Sequence, residues 1–155
     1  MNITRCSWSD IENEPGLVEI LAEGTTEAGL LEGKACKELY RALEQNKVLK
    51  VIKCEKEGNL VGLAIIILFT SLHYSVMLAQ LDTIYVLKEY RSSGAGLKLL
   101  KEAEKIAEEA KVPVLFYNAR INSEIETILL YKDDYELTHT IFCKRFKYDV
   151  AENAA

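Results

Sequence analysis

The sequence predicts one α/β (α+β) domain, a mixed but mostly antiparallel sheet with flanking helices. Three observations predict it. Leu60 to Leu72 is a near-continuous apolar run of strand length, interrupted only by Gly62, Thr70 and Ser71. Gly94 to Lys111 alternates apolar and charged residues at helical spacing. Between and around them, strand and helix patterns follow one another in an order without repeats or a dividing linker. The chain has 155 residues, of which 49% are apolar and 28% charged. That is enough apolar surface for one core and too short for two full domains. The composition excludes a disordered chain, and 8 glycines and 2 prolines exclude a collagen-like or low-complexity one.

The elements read as follows. Asn2 to Trp8 is a short first strand. Ser9 or Asp10 caps a helix beginning near Ile11, with Pro15 and Gly16 in its start and Leu17, Val18, Ile20 and Leu21 on its apolar side. Gly24, Thr25 and Thr26 read as a break. A second helix then runs from about Glu27 or Leu31 to Gln45, with Leu39, Ala42 and Leu43 inward. Val48, Val51 and Ile52 lead to a hairpin turn at Glu57-Gly58-Asn59. Leu60 to Thr70 is a strand buried on both faces. Ser71 to Ser75 connects it to the strand Met77 to Leu87. In the helix from Gly94, the inward stripe is Leu97, Leu100, Ala103, Ala107 and Ala110, widened by Leu99 and Ile106. Pro113 ends it before the strand Val114 to Tyr117. A helix from about Asn122 to Lys132 and a last strand, Tyr135 to Phe146, complete a single domain over 1–148. Residues 149–155 read as a disordered tail.

Charge and cysteine usage narrow the function. The net charge of −5 argues against a general nucleic-acid binder. Cys6, Cys36, Cys54 and Cys143 are scattered, with neither a C-x-x-C pair nor a His at zinc spacing, so no metal site is expected. The first ten residues hold no apolar signal core, and the longest apolar run falls short of the roughly 20 residues a bilayer requires. The expectation is a cytoplasmic protein with reduced thiols and no membrane contact.

The segment carrying chemistry is Ile84 to Leu97. A strand ends, Arg91-Ser92-Ser93-Gly94-Ala95-Gly96 forms a loop, and a long helix begins. Glycines let backbone N–H groups approach a ligand, and a helix start offers unpaired donors with the positive end of the dipole. No Asp or Glu lies between Ser92 and Lys101, whereas Lys88, Arg91, Lys98 and Lys101 gather there. Such a start suits an external anion. There is no G-K-[ST], so a P-loop is excluded. The third glycine of a dinucleotide fingerprint is missing, and no βαβ unit opens here.

These residues resemble the Arg/Gln-x-x-Gly-x-Gly/Ala signature of the GNAT N-acetyltransferases. Val86-Leu87-Lys88-Glu89-Tyr90-Arg91 resembles the family's Val-x-Pro-x-x-Arg approach, with Lys88 in place of Pro. The element order resembles the family's over nearly the whole chain, which implies a GNAT fold with a splayed central strand pair. His73-Tyr74 and Asp82-Thr83-Ile84-Tyr85 look closest to small members encoded by tailed phages.

The resemblance implies transfer of acetyl from acetyl-CoA to a primary amine, without a covalent enzyme intermediate. It implies that backbone N–H groups of Arg91, Ser92, Ser93, Gly94, Ala95, Gly96 and Leu97 hold the CoA pyrophosphate. Ile84, Tyr85 and Val86 would bond the pantetheine arm, with an N–H near Tyr85 or Val86 polarising the thioester. Removing the amine's proton needs a base. Asp82 is the carboxylate available on the motif strand, sharing a face with Gln80, Ile84 and Val86 by simple alternation. His73 is the second candidate. The family's acid is a Tyr in a Leu-Tyr-x-x-x-Gly-Phe stretch, here Leu129-Leu130-Tyr131-Lys132-Asp133-Asp134-Tyr135. Tyr131 falls one residue late, about 100° around a helix. Either the segment is one residue shorter and Tyr131 serves, or solvent or another group does. The acceptor is a small molecule or a protein amine, and a homodimer would pair through Thr140 to Phe146. Two other readings stand beside the enzyme: a CoA-binding or interaction protein of the same fold without turnover, and a nucleotide-binding regulatory domain.

Overall fold

The computed structural model describes residues 1–31 and 33–147. The expected tail at 149–155 lies outside them. The described chain divides into two compact units, Met1–Asn118 and a second beginning at Ala119.

The first unit is built on a five-stranded sheet in the order β1-β2-β3-β4-β5. β1 is Asn2–Cys6, β2 Leu49–Lys56, β3 Asn59–Thr70, β4 Met77–Val86 and β5 Leu115–Tyr117. The first four are antiparallel neighbours, and β5 lies parallel to β4. The hairpin turn forms where expected. Glu57 and Gly58 take φ 53° and 82°, the two positive values that a type I′ turn requires. β3 is buried from Leu60 to Ile66. A strand buried on both faces needs helices on both sides of its sheet, and α1 (Pro15–Ala28) and α3 (Ala95–Glu109) both pack on it.

Gly16 fixes the approach of α1. A Cβ there would stand 2.1 Å from the Leu60 carbonyl oxygen, so only glycine lets the first helical turn settle on β3. Leu17 and Ile20 then bury against the sheet. Gly16→Ala must lift this turn, and we expect a loss of about 3 kcal/mol in urea unfolding. A loss under about 0.5 kcal/mol would show that the helix yields freely. On α3, Arg5 of β1 reaches Glu102 at 2.7 Å and Glu109 at 2.5 and 2.9 Å.

Several sequence expectations change. α1 does not break at Gly24-Thr25-Thr26. The Thr25 and Thr26 hydroxyls each donate at 2.7 Å to carbonyls one turn back, Leu21 and Ala22. The helix ends instead at Gly29, which is left-handed at φ 64°. α2 is Lys37–Gln45, shorter than expected. Its inward side is Tyr40, stacked on buried Trp8 at 4.0 Å, with Glu44, whose carboxylate accepts the Trp8 backbone N–H. Leu39 and Ala42 are exposed. In α3 the buried stripe is Ala95, Leu99, Leu100, Ala103, Ile106 and Ala107, and Leu97 is exposed. Leu97 stands two residues from both Ala95 and Leu99, about 200° around the helix from each, and so falls off the buried stripe.

The second unit contains α4, Glu124–Tyr131. Ser123 caps it by accepting the Glu126 N–H at 3.2 Å, and Glu126 accepts the Asn122 N–H at 2.5 Å. The strand expected over Tyr135 to Phe146 does not form. A strand is held by ladder hydrogen bonds to a neighbour, and the described residues 135–147 make no ladder.

Candidate active site

β4 changes phase at Asp82. Ile65 pairs with Thr83 and Ile66 with Leu81, leaving Asp82 as the extra residue of a bulge. Before it, the Ala79 N–H bonds the Val114 carbonyl and the Leu81 carbonyl accepts the Asn118 N–H, so odd-numbered residues face β5. After it, the Leu87 N–H bonds the Val61 carbonyl, so odd-numbered residues face β3. The register therefore places the N–H groups of Ile84 and Val86 toward the β5 side, with that of Tyr85 in the β3 ladder. β5 pairs only Ala79 to Leu81. Beyond Leu81, β4 runs on without a ladder partner on that side among the described residues, the expected splay.

The bulge also corrects the side-chain reading. Strict alternation puts Asp82 and Thr83 on opposite faces, yet the Thr83 hydroxyl donates to the Asp82 carboxylate at 3.1 Å. Asp82 therefore does not simply share the face of Ile84 and Val86. Its charge reaches Tyr40 of α2, where burial first and Asp82 second push the phenol above its ordinary range.

β4 leads into a 3₁₀ turn, Lys88–Ser93, and then Gly94 at φ 74°. The left-handed value at Gly94 redirects the chain into α3. Ser93 donates to the Tyr90 carbonyl at 2.6 Å and accepts the Ala95 N–H at 3.3 Å. The Gly96 and Leu97 N–H groups precede the intrahelical ladder. No acid stands in the first turn of α3, and nothing lies within 4 Å of where a Gly96 Cβ would be. α4 is the contrast, since it supplies Glu124 and Glu126 to its own start.

Of the four cations gathered near the loop, Lys98 and Lys101 are exposed. Lys88 and Arg91 are partnered by α1. Arg91 donates from Nη2 to Glu27 at 2.9 and 3.1 Å and from Nε to the Val86 carbonyl at 2.9 Å. It also lies over the Tyr85 ring at 5.0 Å. Glu23 accepts the Tyr85 hydroxyl and the Lys88 N–H, both at 2.9 Å. Burial and the carboxylates of Glu23 and Glu27 push the Tyr85 phenol up, while Arg91 helps hold the Glu27 carboxylate below its usual range against the opposing effect of burial. Glu23, Glu27 and Tyr40 were missed from sequence. The acids did leave a signal: Glu19, Glu23 and Glu27 repeat at i,i+4, which is unfavourable unless cations face them.

Of the remaining candidates, His73 lies apart within the first unit. His73 is exposed in the connector before β4, and the loop follows the other end of that strand, about 30 Å away along it. Tyr131 ends α4 in the second unit and is 84% exposed. Among the described residues no group of three His, Cys, Asp or Glu could hold a metal, and no helix is long and apolar enough to cross a membrane.

Comparison with known proteins agrees with this fold. Residues 15–133 match the family model described as acetyltransferase (GNAT) family. No curated protein matches the sequence. Among solved structures, the chain is similar to a ribosomal-protein-alanine N-acetyltransferase from Brucella melitensis biovar Abortus 2308, at 21% identity and TM-score 0.64, over 94% of this chain and 100% of that one. An aminoglycoside acetyltransferase from an uncultured soil metagenomic sample, in complex with sisomicin, is 20% identical over 94% and 96%, with TM-score 0.71. Aminoglycoside N-acetyltransferase AAC(6')-Iy, in complex with CoA, is 13% identical over 95% and 100%, with TM-score 0.66.

Proposed function

The chain belongs to the acetyltransferase (GNAT) family, and from that premise we propose that it is an N-acetyltransferase that moves acetyl from acetyl-CoA directly to a primary amine. One observation carries the reading. The edge of β4 that leaves β5 after Leu81 leads through the Lys88–Ser93 turn to Gly94 and the acid-free start of α3. An extended thioester arm and a pyrophosphate occupy those two places in succession.

In this reading the Gly96 and Leu97 N–H groups and the dipole of α3 hold the pyrophosphate. Ile84 and Val86 bond the pantetheine arm, and one of their N–H groups polarises the thioester carbonyl. Asp82 takes the amine's proton, directly or through water. The amine nitrogen bonds the carbonyl carbon, the C–S bond breaks, and the sulfur keeps the electron pair. Tyr131 is the proposed donor of the proton the thiolate then takes. The acceptor is a cationic amine of a small molecule or a protein. The neighbours with aminoglycoside and ribosomal-protein-alanine activities support an amine as the acceptor class. The further proposal is a phage-encoded, cytoplasmic homodimer.

Isothermal titration with acetyl-CoA tests the reading. We expect saturable micromolar binding, then CoA thiol release with at least one member of an amine panel. No binding at high micromolar acetyl-CoA refutes it. Binding without release from any amine favours a CoA-binding protein without turnover.

A further inference from the structure

Helix α1 carries three acids in one row, and the loop after β4 lies along that row. Glu27 holds Arg91 through both carboxylate oxygens and reaches the Lys88 ammonium at 3.3 Å. Glu23 accepts one bond from the end of β4, through the Tyr85 hydroxyl, and one from the loop backbone, through Lys88. Arg91 in turn ties the loop to the end of β4 through the Val86 carbonyl.

The loop needs such support. Its six residues form a 3₁₀ turn, whose hydrogen bonds are poorer than those of an α-helix. The helix that offers support is itself fixed, by Leu17 and Ile20 in the core and by Gly16 on the Leu60 carbonyl. The Glu27 side chain is only 14% exposed, so its bonds to Arg91 are shielded in part from water and salt.

We propose that Glu23 and Glu27 are positioning residues for the cofactor loop, with Glu27 acting through Arg91. This rests on the reading of that loop as the CoA pyrophosphate site. The Arg91 guanidinium is committed to Glu27 and to the Val86 carbonyl. The pyrophosphate is then held mainly by backbone donors whose placement α1 dictates, and Arg91 serves as a brace.

The test is CoA affinity, by titration, in the parent, Glu27→Ala, Arg91→Ala and the double variant. We expect each single change to weaken CoA about tenfold and the double to be no worse than either single, because one brace is lost in every case. The loss should appear in KM for acetyl-CoA and leave KM for the amine in place, a split that general loosening of the fold would not produce. Glu109→Ala, which removes an ion pair to Arg5 on another part of the unit, should leave CoA affinity unchanged. Tighter binding by Glu27→Ala would mean that Glu27 merely competes with the cofactor for Arg91, and would overturn the proposal. Unchanged affinity or additive losses would overturn it as well. If the alanine variant fails to fold, Glu27→Gln carries the test. It keeps volume and one acceptor, so a loss of about threefold is expected, and none would count against the brace. A parent that binds no CoA removes the acetyltransferase reading itself. A parent that binds, with variants that bind equally well, removes only the positioning role.

Discussion

Asp82→Asn should lower turnover by about two to four orders of magnitude, the usual contribution of a positioned general base, while CoA affinity stays within about twofold of the parent. The substitution is nearly isosteric. An amide oxygen still accepts the Thr83 hydroxyl, so the local contact at 3.1 Å can persist. What is lost is the capacity to take a proton. An acceptor amine with a pKa near 10 is almost wholly protonated at neutral pH and has no lone pair to attack with. The residual rate of the variant should therefore climb with pH as bulk solvent deprotonates more amine. Thiol release at saturating acetyl-CoA over a pH series, beside titration of CoA, reads both quantities. Equal loss of turnover and affinity would assign Asp82 a structural role in the bulge.

Gly96→Phe should abolish measurable CoA binding, a loss of at least about a hundredfold, and leave the fold intact. The two halves of this result have separate causes. A Cβ at Gly96 enters open space with nothing within 4 Å, so a side chain leaves the backbone there without disturbing a core contact at its base. The position is helical, where glycine is about 0.5–1 kcal/mol worse than most residues, so unfolding stability should hold or rise slightly. The same open space is where the pyrophosphate would sit against the first-turn N–H groups, and a phenyl ring fills it. Thermal unfolding and CoA titration on one preparation check both halves. A Gly96→Phe protein that still binds CoA would refute the placement of the pyrophosphate.

Much of the fold was legible because its signals are local. The turn at Glu57-Gly58, the apolar run of β3 and the charge pattern of α3 each announce themselves within a dozen residues. The Gly94–Gly96 loop was legible for the same reason. Other features were decided at long range. The threonines that read as a break in α1 bond back within the helix, and beyond them Glu27 pairs with Arg91 and Lys88, far along the sequence. The stacking of Tyr40 on Trp8 brings α2 in on the side of Tyr40, Leu43 and Glu44 and leaves Leu39 and Ala42 exposed. The bulge at Asp82 leaves no mark in the apolar pattern of Met77 to Val86, because it is a property of the register with β3. The pairing of α1 with Arg91 spans more than sixty residues of sequence. Only the repeat of acids at Glu19, Glu23 and Glu27 hinted at it.

The bulge separates two things that a strand normally couples. In a regular strand, the residue presenting its side chain and the backbone edge facing a neighbour are locked in one alternation. Here one supernumerary residue resets the count, so that β4 closes against β5 up to Leu81 and opens its edge from Ile84 onward. Position 82 can accept different side chains, and so different chemistry, without changing which backbone groups line the opening. The number of residues between Leu81 and Thr83 has no such latitude. What the bulge itself holds constant is a length, set apart from the side chain that stands at position 82.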